Sequence, residues 1–219
     1  MRYGPPVSTG LRLYAYSHSS MTWAVRMGLA YKDVPHETVA VDISRGSDAR
    51  ERTGYHAINA LGQVPVLEWE HEGQPRRSAQ SLAILELLEE LYPLPALLPA
   101  DRFLRARCRE LAGMVQSGTQ PLQNNYTLQQ ISERGGDALE WARHFIARGL
   151  QALERACAET AGRFLIGDAP SMADLYLGPQ LFNARRRGAA LDGIPRLLAI
   201  EQNLSALDCY QRTHPDRCT

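Results

Sequence analysis

The chain has 219 residues, and its 24 basic side chains are balanced by 24 acidic ones, so its main partner is predicted to be neither nucleic acid nor an anionic membrane. No apolar run reaches the roughly 18 residues of a membrane span, and residues 1–10 lack the apolar core of a secretory signal. We therefore expect a soluble, cytoplasmic protein.

Strand and helix patterns alternate in the first part of the chain. Short alternating apolar runs predict strands, whereas apolar residues at i, i+3, i+4 and i+7 spacing predict helices. The segment 44–59 is polar and punctuated by glycine, and it is predicted to be a loop with a short helix. In chain order, the predicted elements are a strand at 11–16, a helix at 23–31, strands at 36–41, 64–69 and 75–78, and a helix at 80–91.

A proline-rich segment separates this part from a helical one. Residues 93–99 hold three prolines and indicate a linker. The sequence therefore predicts an α/β domain at 1–92, a linker at 93–100 and an all-α domain at 101–219. The predicted helices of the second domain lie at 101–129 (one long helix, bent near Gly113 to Pro121), 138–159, 171–186 and 195–207.

Two serines stand where the first strand passes into the first helix. Ser19 and Ser20 can simply cap that helix. Alternatively, the helix N-terminus presents unpaired N–H groups and a partial positive charge to an anion such as a thiolate, to which a hydroxyl can donate. These residues by themselves leave both interpretations open. His18 is not expected to form a catalytic pair with Ser19, because adjacent side chains of an extended segment point apart.

Two further polar segments flank predicted strands. Gln63 and Val64 precede the third strand; if the bond from Val64 to Pro65 is cis, the Val64 backbone turns outward and can pair with a peptide-like ligand. The sequence does not determine that isomer. Gln80 and Ser81 begin the helix after the fourth strand, either as a cap or as a second N-terminus for a carboxylate. The three segments are predicted to lie at one end of the sheet.

Several runs of the chain resemble zeta-class glutathione transferases from about Leu11 to His214 and Pro215. QVP and QS occur in many transferase classes, whereas the Q-P-L-Q-N and P-Q-x-x-N-A patterns point to the zeta class. The resemblance implies the glutathione transferase fold, a thioredoxin-like βαβ-α-ββα domain followed by an all-helical domain. The matching runs are YSHSSMTWAVRMGLAYKDVPHETVAV, NALGQVPVLE, SAQSLAILELLEE, GTQPLQNNYTL and GDAPSMADLYLGPQLFNARR.

The resemblance also implies an activity. Members of this class use glutathione to isomerise a cis enedioic acid to its trans form, as in the conversion of maleylacetoacetate to fumarylacetoacetate in tyrosine and phenylalanine catabolism. A maleylpyruvate isomerase and a non-catalytic glutathione-binding protein are the alternatives. Glutathione is the implied cofactor, a dicarboxylic acid the implied substrate, and a homodimer the implied assembly. Plausible dimer contacts are Leu61, Trp69, Arg76 and Arg77.

Site roles follow from the same resemblance. Ser19, with Ser20 beside it, matches the serine that stabilises the thiolate. Gln63 and Val64 match the segment whose Val64 backbone pairs with the cysteinyl part of glutathione, and Gln80 and Ser81 match the pair that holds its γ-glutamyl end. The positions matched in the helical domain are Gln120 and Asn124, which close the site, and Arg186, which binds a substrate carboxylate.

The chain departs from the class at three positions. Met21 replaces the motif's cysteine, which excludes a thiol nucleophile at this position. Ala24 replaces an arginine, and Arg50 replaces a loop glutamine. Arg186 is expected to point inward while Arg185 and Arg187 stay solvated.

Other polar residues have structural interpretations. Ser171 and Asp174 have the spacing of a capping box. Tyr14 and Tyr16 are expected to pack in the core, and Lys32 is expected to be exposed at a helix end.

No metal site or disulfide framework is expected. The six histidines show no paired ligand spacing, and the cysteines form no C-x-x-C pair. The cysteines, which are expected to be free thiols, are Cys108, Cys157, Cys209 and Cys218.

Overall fold

The computed structural model describes residues 10–43 and 54–218. Contacts divide the chain into two compact units, Met1–Ala96 with Arg212–Thr219, and Leu97–Gln211. The division falls inside the predicted linker.

The last residues of the chain correct the predicted domain boundary, because they belong to the first unit. The Nε1–H of Trp23 donates to the Thr213 hydroxyl at 3.1 Å, and the Trp23 ring meets His214 edge-on at 5.1 Å between ring centroids. Trp23 is almost fully buried, and a buried indole N–H needs an acceptor. The returning tail supplies one.

The first unit is built on a four-stranded mixed sheet. In the order β2-β1-β3-β4, β1 pairs parallel with β2 and antiparallel with β3, and β3 pairs antiparallel with β4. Glu72 and Gly73 both have positive φ, 53° and 71°, as a tight two-residue hairpin requires. The strands are β1 (Arg12–Ala15), β2 (Glu37–Ala40), β3 (Val66–His71) and β4 (Gln74–Ala79).

Two helices of this unit follow the first and last strands. They are α1 (Ser20–Tyr31) and α2 (Ser81–Leu91), which pack against each other. The helix α1 begins three residues before its predicted start, because Ser19 caps it. A short 3-10 turn at Tyr55–Ala57 lies in the segment predicted to contain a short helix.

Lys32 was expected to be exposed, but its side chain is buried. It follows α1 and is only 6% exposed. Its ammonium group donates to Glu89 at 2.7 Å, to the Tyr92 carbonyl at 2.6 Å and to the Pro95 carbonyl at 2.8 Å. Three donors thus meet three acceptors, which is what allows a charged lysine to be buried. The contact ties the ends of α1 and α2 together.

The second unit is helical, and its central helix is almost completely surrounded. That helix, α6, packs against α3, α5 and α7. In the described residues of this unit the helices are α3 (Arg102–Gln116), α4 (Asn125–Glu133), α5 (Ala138–Ala156), α6 (Met172–Arg187), α7 (Pro195–Ser205) and α8 (Asp208–Arg212).

The prediction of one long helix at 101–129 is wrong. The chain leaves α3 after Gln116, forms a 3-10 turn at Gln120–Gln123 and starts α4 anew at Asn125. Pro121 has no N–H with which to continue a helix. The Asn124 side chain accepts the Thr127 N–H at 2.8 Å and so caps α4. The bend predicted near Gly113 to Pro121 is therefore an interruption of the helix.

The four cysteines all lie within the described residues. Cys108, Cys157 and Cys209 are buried, Cys218 is half-buried, and none of these four cysteines forms a disulfide. Burial raises the pKa of the Cys108 and Cys157 thiols. Every helix of the described ranges is too short or too polar to span a membrane.

Asp174 is the buried polar centre of the second unit, and the predicted capping box is confirmed. The carboxylate is 0% exposed and accepts the N–H of Leu165 at 2.9 Å and the N–H and hydroxyl of Ser171 at 2.8 and 2.6 Å. Burial raises the pKa of Asp174 to about 6, although these donors favour the charged form.

We expect Asp174→Asn to lower the free energy of unfolding by about 3 kcal/mol. The new amide nitrogen would face the two Ser171 donors, which would lose their acceptor. Chemical denaturation at pH 7 measures the difference, with the exposed Asp192→Asn as the matched control. Equal stability of the two variants would contradict the role given to Asp174.

The same carboxyl predicts a pH dependence. Because its folded pKa is raised above the ordinary 3.8, the protonated form favours the folded state. The stability that this proton contributes is complete below about pH 4 and is lost as the pH rises through 6. We expect the difference in stability between the wild type and Asp174→Asn to shrink by on the order of 2 kcal/mol from pH 4 to 7.5. A stability difference that stays constant from pH 4 to 7.5 would contradict the raised pKa of Asp174.

Candidate active site

The register of the sheet brings three loops to one end of the first unit. Val66 pairs with Tyr14 on one side and with Ala79 on the other. The C-terminal end of β1, the start of β3 and the C-terminal end of β4 therefore meet at the same edge. The segments that follow or precede these ends carry Ser19, Ser20, Gln63, Val64, Gln80 and Ser81, as predicted.

Ser19 caps α1, with a half-buried side chain. Its Oγ accepts the Thr22 N–H at 3.2 Å, and its carbonyl accepts the Trp23 N–H at 2.9 Å. The cap uses a lone pair of the hydroxyl, so the hydroxyl proton can still donate to an anion. Capping and anion binding, which the sequence left as alternatives, are therefore compatible. Ser20 is the first residue of α1 and is buried.

Arg26, which no motif of the sequence had singled out, supports this segment. It is 6% exposed, and its Nη2 donates to the Ser17 carbonyl at 2.9 Å. Ser17 stands two residues before Ser19, so the guanidinium holds the loop from which α1 starts. An arginine in the middle of an otherwise apolar helix was the available signal.

The segment before β3 is held by its backbone. The Val64–Pro65 bond is cis. The Gln63 side chain is exposed, but the Gln63 carbonyl accepts the Tyr55 hydroxyl at 3.0 Å and the Asn59 amide at 2.7 Å. Val64 is buried against Tyr14 and Tyr55. Tyr55 and Asn59 were not predicted to bear on the site.

The first turns of α1 and α2 are in contact. Ser81 is 2% exposed, and its hydroxyl donates to the Sδ of Met21 at 3.5 Å. Met21, which stands where the zeta motif has cysteine, thus packs inward against the residue proposed to hold the γ-glutamyl end. Gln80 is exposed and has a φ of 71°, a conformation that residues other than glycine rarely adopt and that concentrates at ligand sites.

The predicted residues of the second unit lie in one turn and on one helix. Gln120 begins the 3-10 turn and is half-buried, and Asn124 caps α4. Between them, the buried Gln123 donates to the Gln180 side chain of α6 at 2.6 Å. The turn is therefore attached to the face of α6 that leads to its C-terminal arginines.

The three consecutive arginines at the end of α6 do not have the predicted exposure. Arg186 is exposed, and its Nη2 lies 3.4 Å from the Asn183 Oδ1. Arg187 is instead the half-buried one, because its Nη2 donates to the Gln123 carbonyl at 3.2 Å. Burial and the neighbouring Arg186 charge lower the Arg187 pKa. The prediction that Arg186 alone points inward is wrong.

The remaining residues singled out from the sequence near this site are Tyr14, Tyr16 and Arg50. The ring of Tyr14 is buried and its hydroxyl donates to Glu68 at 3.4 Å, in keeping with core packing. Tyr16 is half-buried beside His18. Arg50 lies outside the described residues. Within residues 10–43 and 54–218 no group of three His, Cys, Asp or Glu residues could hold a metal ion.

Comparison with known proteins identifies the family. Residues 13–96 match the glutathione S-transferase N-terminal domain, and residues 138–202 match its C-terminal domain. A maleylacetoacetate isomerase from Rattus norvegicus is 38% identical over 99% of this chain and 95% of its own. The chain belongs to the zeta-class glutathione transferase and maleylacetoacetate isomerase family.

Solved structures of this family have the same fold. Maleylacetoacetate isomerase from Anaeromyxobacter dehalogenans 2CP-1, with glutathione bound in its active site, is 50% identical, covers 96% of this chain and 97% of its own, and superposes with a TM-score of 0.88. A zeta-class maleylpyruvate isomerase is 33% identical, covers 94% of this chain and 97% of its own, and has a TM-score of 0.85. The predicted fold class is confirmed.

Proposed function

We propose that the protein is a glutathione-dependent isomerase that converts maleylacetoacetate to fumarylacetoacetate. The observation that carries the proposal is the meeting of two helix N-termini and the Gln63–Val64 peptide at one end of the sheet, with the Ser19 hydroxyl on the first helix. That edge offers a place for each part of a tripeptide thiol. The Anaeromyxobacter and rat relatives, both named maleylacetoacetate isomerase, support the reaction.

The first chemical task is to keep the glutathione thiol ionised. A free thiol has a pKa of about 8.5 and is mostly protonated at neutral pH. The N-terminus of α1 and the Ser19 hydroxyl both stabilise a thiolate, and lowering the pKa by one unit requires about 1.4 kcal/mol. Met21 cannot act as a nucleophile, so the attacking sulfur is that of glutathione.

The reaction then needs no net oxidation or proton loss. The thiolate adds to the carbon–carbon double bond conjugated with the ketone, and the electron pair moves to the ketone oxygen as an enolate. The former double bond is now single and rotates. Collapse of the enolate expels the thiolate and forms the trans double bond. The Anaeromyxobacter relative has also been solved with dicarboxyethyl glutathione and citrate, so that protein accommodates glutathione carrying a dicarboxylate.

The substrate brings carboxylates that need positive partners. The exposed guanidinium of Arg186 has the planar donor geometry that fits a carboxylate. Gln120 and Asn124 contribute polar groups from the same unit. Arg185 is already engaged by Glu201, with both contacts at 2.5 Å, and Arg187 by the Gln123 carbonyl.

Ser19→Ala should raise the pKa of bound glutathione by about one unit and lower the turnover about tenfold. Ultraviolet titration of the thiolate measures the first effect, and an isomerisation assay measures the second. Ser19→Thr keeps both the cap and the hydroxyl and should stay close to wild type. Ser17→Ala is the control two residues away. An unchanged thiolate titration in Ser19→Ala would refute the role of this hydroxyl.

Arg186→Ala should reduce kcat/KM for the dicarboxylic acid by about thirty- to a hundred-fold, since losing a charged hydrogen bond costs about 2–3 kcal/mol. The affinity for glutathione should stay nearly the same. Arg185→Ala is the matched control and should affect kcat/KM little. A larger loss in Arg185→Ala or Arg187→Ala, or a silent Arg186→Ala, would mean that the carboxylate is bound elsewhere.

A homodimer fits the surface of the first unit. A groove of about 460 Å³ lies between β3, β4 and α2. Leu61, which precedes β3 in the chain, is 63% exposed. A second copy of the chain would cover this apolar and basic surface. The groove is lined by Trp69, His71, Arg76, Arg77, Leu87 and Leu91.

Sedimentation velocity at micromolar concentration should give a species of twice the mass of one chain. Trp69→Glu should shift the population toward single chains, because a buried unpaired charge is costly. Leu94→Glu, at a side chain that is 80% exposed and away from the groove lining, should leave the dimer intact. A wild-type protein that sediments only as single chains would exclude the dimer.

One experiment distinguishes the proposed function from its two alternatives. The zeta-class maleylpyruvate isomerase neighbour makes that related cis acid the second candidate substrate. Assays with both acids, together with glutathione binding, distinguish the two isomerases from a non-catalytic glutathione-binding protein, which would bind glutathione and turn over neither acid. With maleylacetoacetate as the preferred acid, the proposed role is in tyrosine and phenylalanine catabolism, and the proposed location is the cytoplasm.

A further inference from the structure

One backbone oxygen of the first unit is held by two buried side chains. The Gln63 carbonyl accepts the Tyr55 hydroxyl at 3.0 Å and the Asn59 Nδ2 at 2.7 Å. Tyr55 is 3% exposed and Asn59 is 9% exposed. A carbonyl oxygen has two lone pairs, so these two donors satisfy it completely.

Local structure explains how both side chains reach this atom. Tyr55 opens the 3-10 turn, and the Asn59 N–H donates to the Tyr55 carbonyl at 3.0 Å, so the two residues are one helical turn apart on the same face. The Asn59 Oδ1 accepts the Leu61 N–H at 3.2 Å, which directs the amide nitrogen toward Gln63. Gly62, with a φ of 60° and its N–H on the Asn59 carbonyl at 2.7 Å, then turns the chain back.

The direction of the Val64 N–H follows from the planarity of the peptide. The Gln63–Val64 bond is not among the cis bonds of the described residues, and in a trans peptide the N–H points opposite to the C=O. Because the Gln63 oxygen is fastened to Tyr55 and Asn59, the Val64 N–H is directed away from both. It is thereby oriented before any ligand arrives.

We propose that Tyr55 and Asn59 are positioning residues for glutathione, which act through the Gln63 carbonyl to aim the Val64 N–H at the cysteinyl carbonyl of the ligand. This inference rests on the proposed binding of glutathione by this site. Neither side chain touches the ligand. Their effect is preorganisation, because a peptide group that is free to rotate must be ordered when the ligand binds.

The chain offers a matched pair of substitutions. Tyr55→Phe removes one donor from the Gln63 oxygen and keeps the ring in the cluster with Tyr14, whose centroid lies 6.1 Å away. Tyr14→Phe removes a hydroxyl from the same cluster, but that hydroxyl contacts Glu68 and not Gln63. Asn59→Asp replaces the second donor by an acceptor.

Calorimetric titration of the full-length variants with glutathione, without the acid substrate, is the first test. We expect the Kd to rise about three- to tenfold in Tyr55→Phe, in line with the loss of one hydrogen bond, and further in Asn59→Asp. Tyr14→Phe should stay within twofold of the wild type. A Kd in Tyr55→Phe equal to that of Tyr14→Phe would overturn the proposal.

A modified ligand separates positioning from a general loss of structure. In a glutathione analogue whose cysteinyl carbonyl is replaced by a methylene group, the Val64 N–H has no acceptor. Wild type and Tyr55→Phe should bind this analogue within twofold of each other, although both bind it more weakly than glutathione. A penalty of Tyr55→Phe that persists with the analogue would overturn the proposal.

The outcome is independent of the isomerase activity, because binding alone is measured. A wild-type protein that binds glutathione but isomerises neither acid would refute the proposed function while the Kd comparison still decides the positioning role. If the wild type binds no glutathione, both proposals fail. Asn59→Asp need not be stable for the test, since Tyr55→Phe and the analogue are sufficient.

Discussion

The pairing of Val66 with Tyr14 on one side and with Ala79 on the other is the constraint on which the candidate site depends. β3 runs antiparallel to both neighbours, so its beginning lies beside the ends of β1 and β4. The Ser19, Val64 and Ser81 segments are far apart in sequence and close only through this register. A slip of one residue in β3 would turn its side chains to the opposite face and move Val64 away from the cluster of Tyr14 and Tyr55.

Buried polar side chains hold the backbone next to two of the candidate binding segments. Arg26 holds the Ser17 carbonyl before Ser19, and Tyr55 and Asn59 hold the Gln63 carbonyl before Val64. Each bond satisfies a donor that would be costly to bury unpaired. The same contacts that stabilise the fold thus hold the segments that carry Ser19 and Val64.

Met21 is a single departure from the family motif that changes which chemical groups lie near the candidate site. A cysteine at this position would bring a second thiol close to the site. The thioether instead accepts the Ser81 hydroxyl inside the protein, at 3.5 Å. It joins the first turns of α1 and α2 without offering a nucleophile. Thiolate stabilisation in the proposed reaction therefore falls to the α1 N-terminus and the Ser19 hydroxyl.

The sequence by itself determined the order of strands and helices in the first unit and the capping box at Asp174, because local periodicity and short-range hydrogen bonds specify these features. It offered the cap at Ser19 as one of two interpretations, and the family followed from the resemblance of several runs of the chain to zeta-class glutathione transferases. It indicated a bend near Gly113 to Pro121 but not that the helix ends after Gln116, because helical periodicity continues on both sides. Nor could it determine the burial of Lys32, whose three acceptors lie about sixty residues away. Only the tertiary structure decided which arginine of the triplet is half-buried, that Ser81 contacts Met21, and that Tyr55 and Asn59 donate to the Gln63 carbonyl. Each of these depends on which partner the folded chain brings within hydrogen-bonding distance, and residue type does not encode that distance.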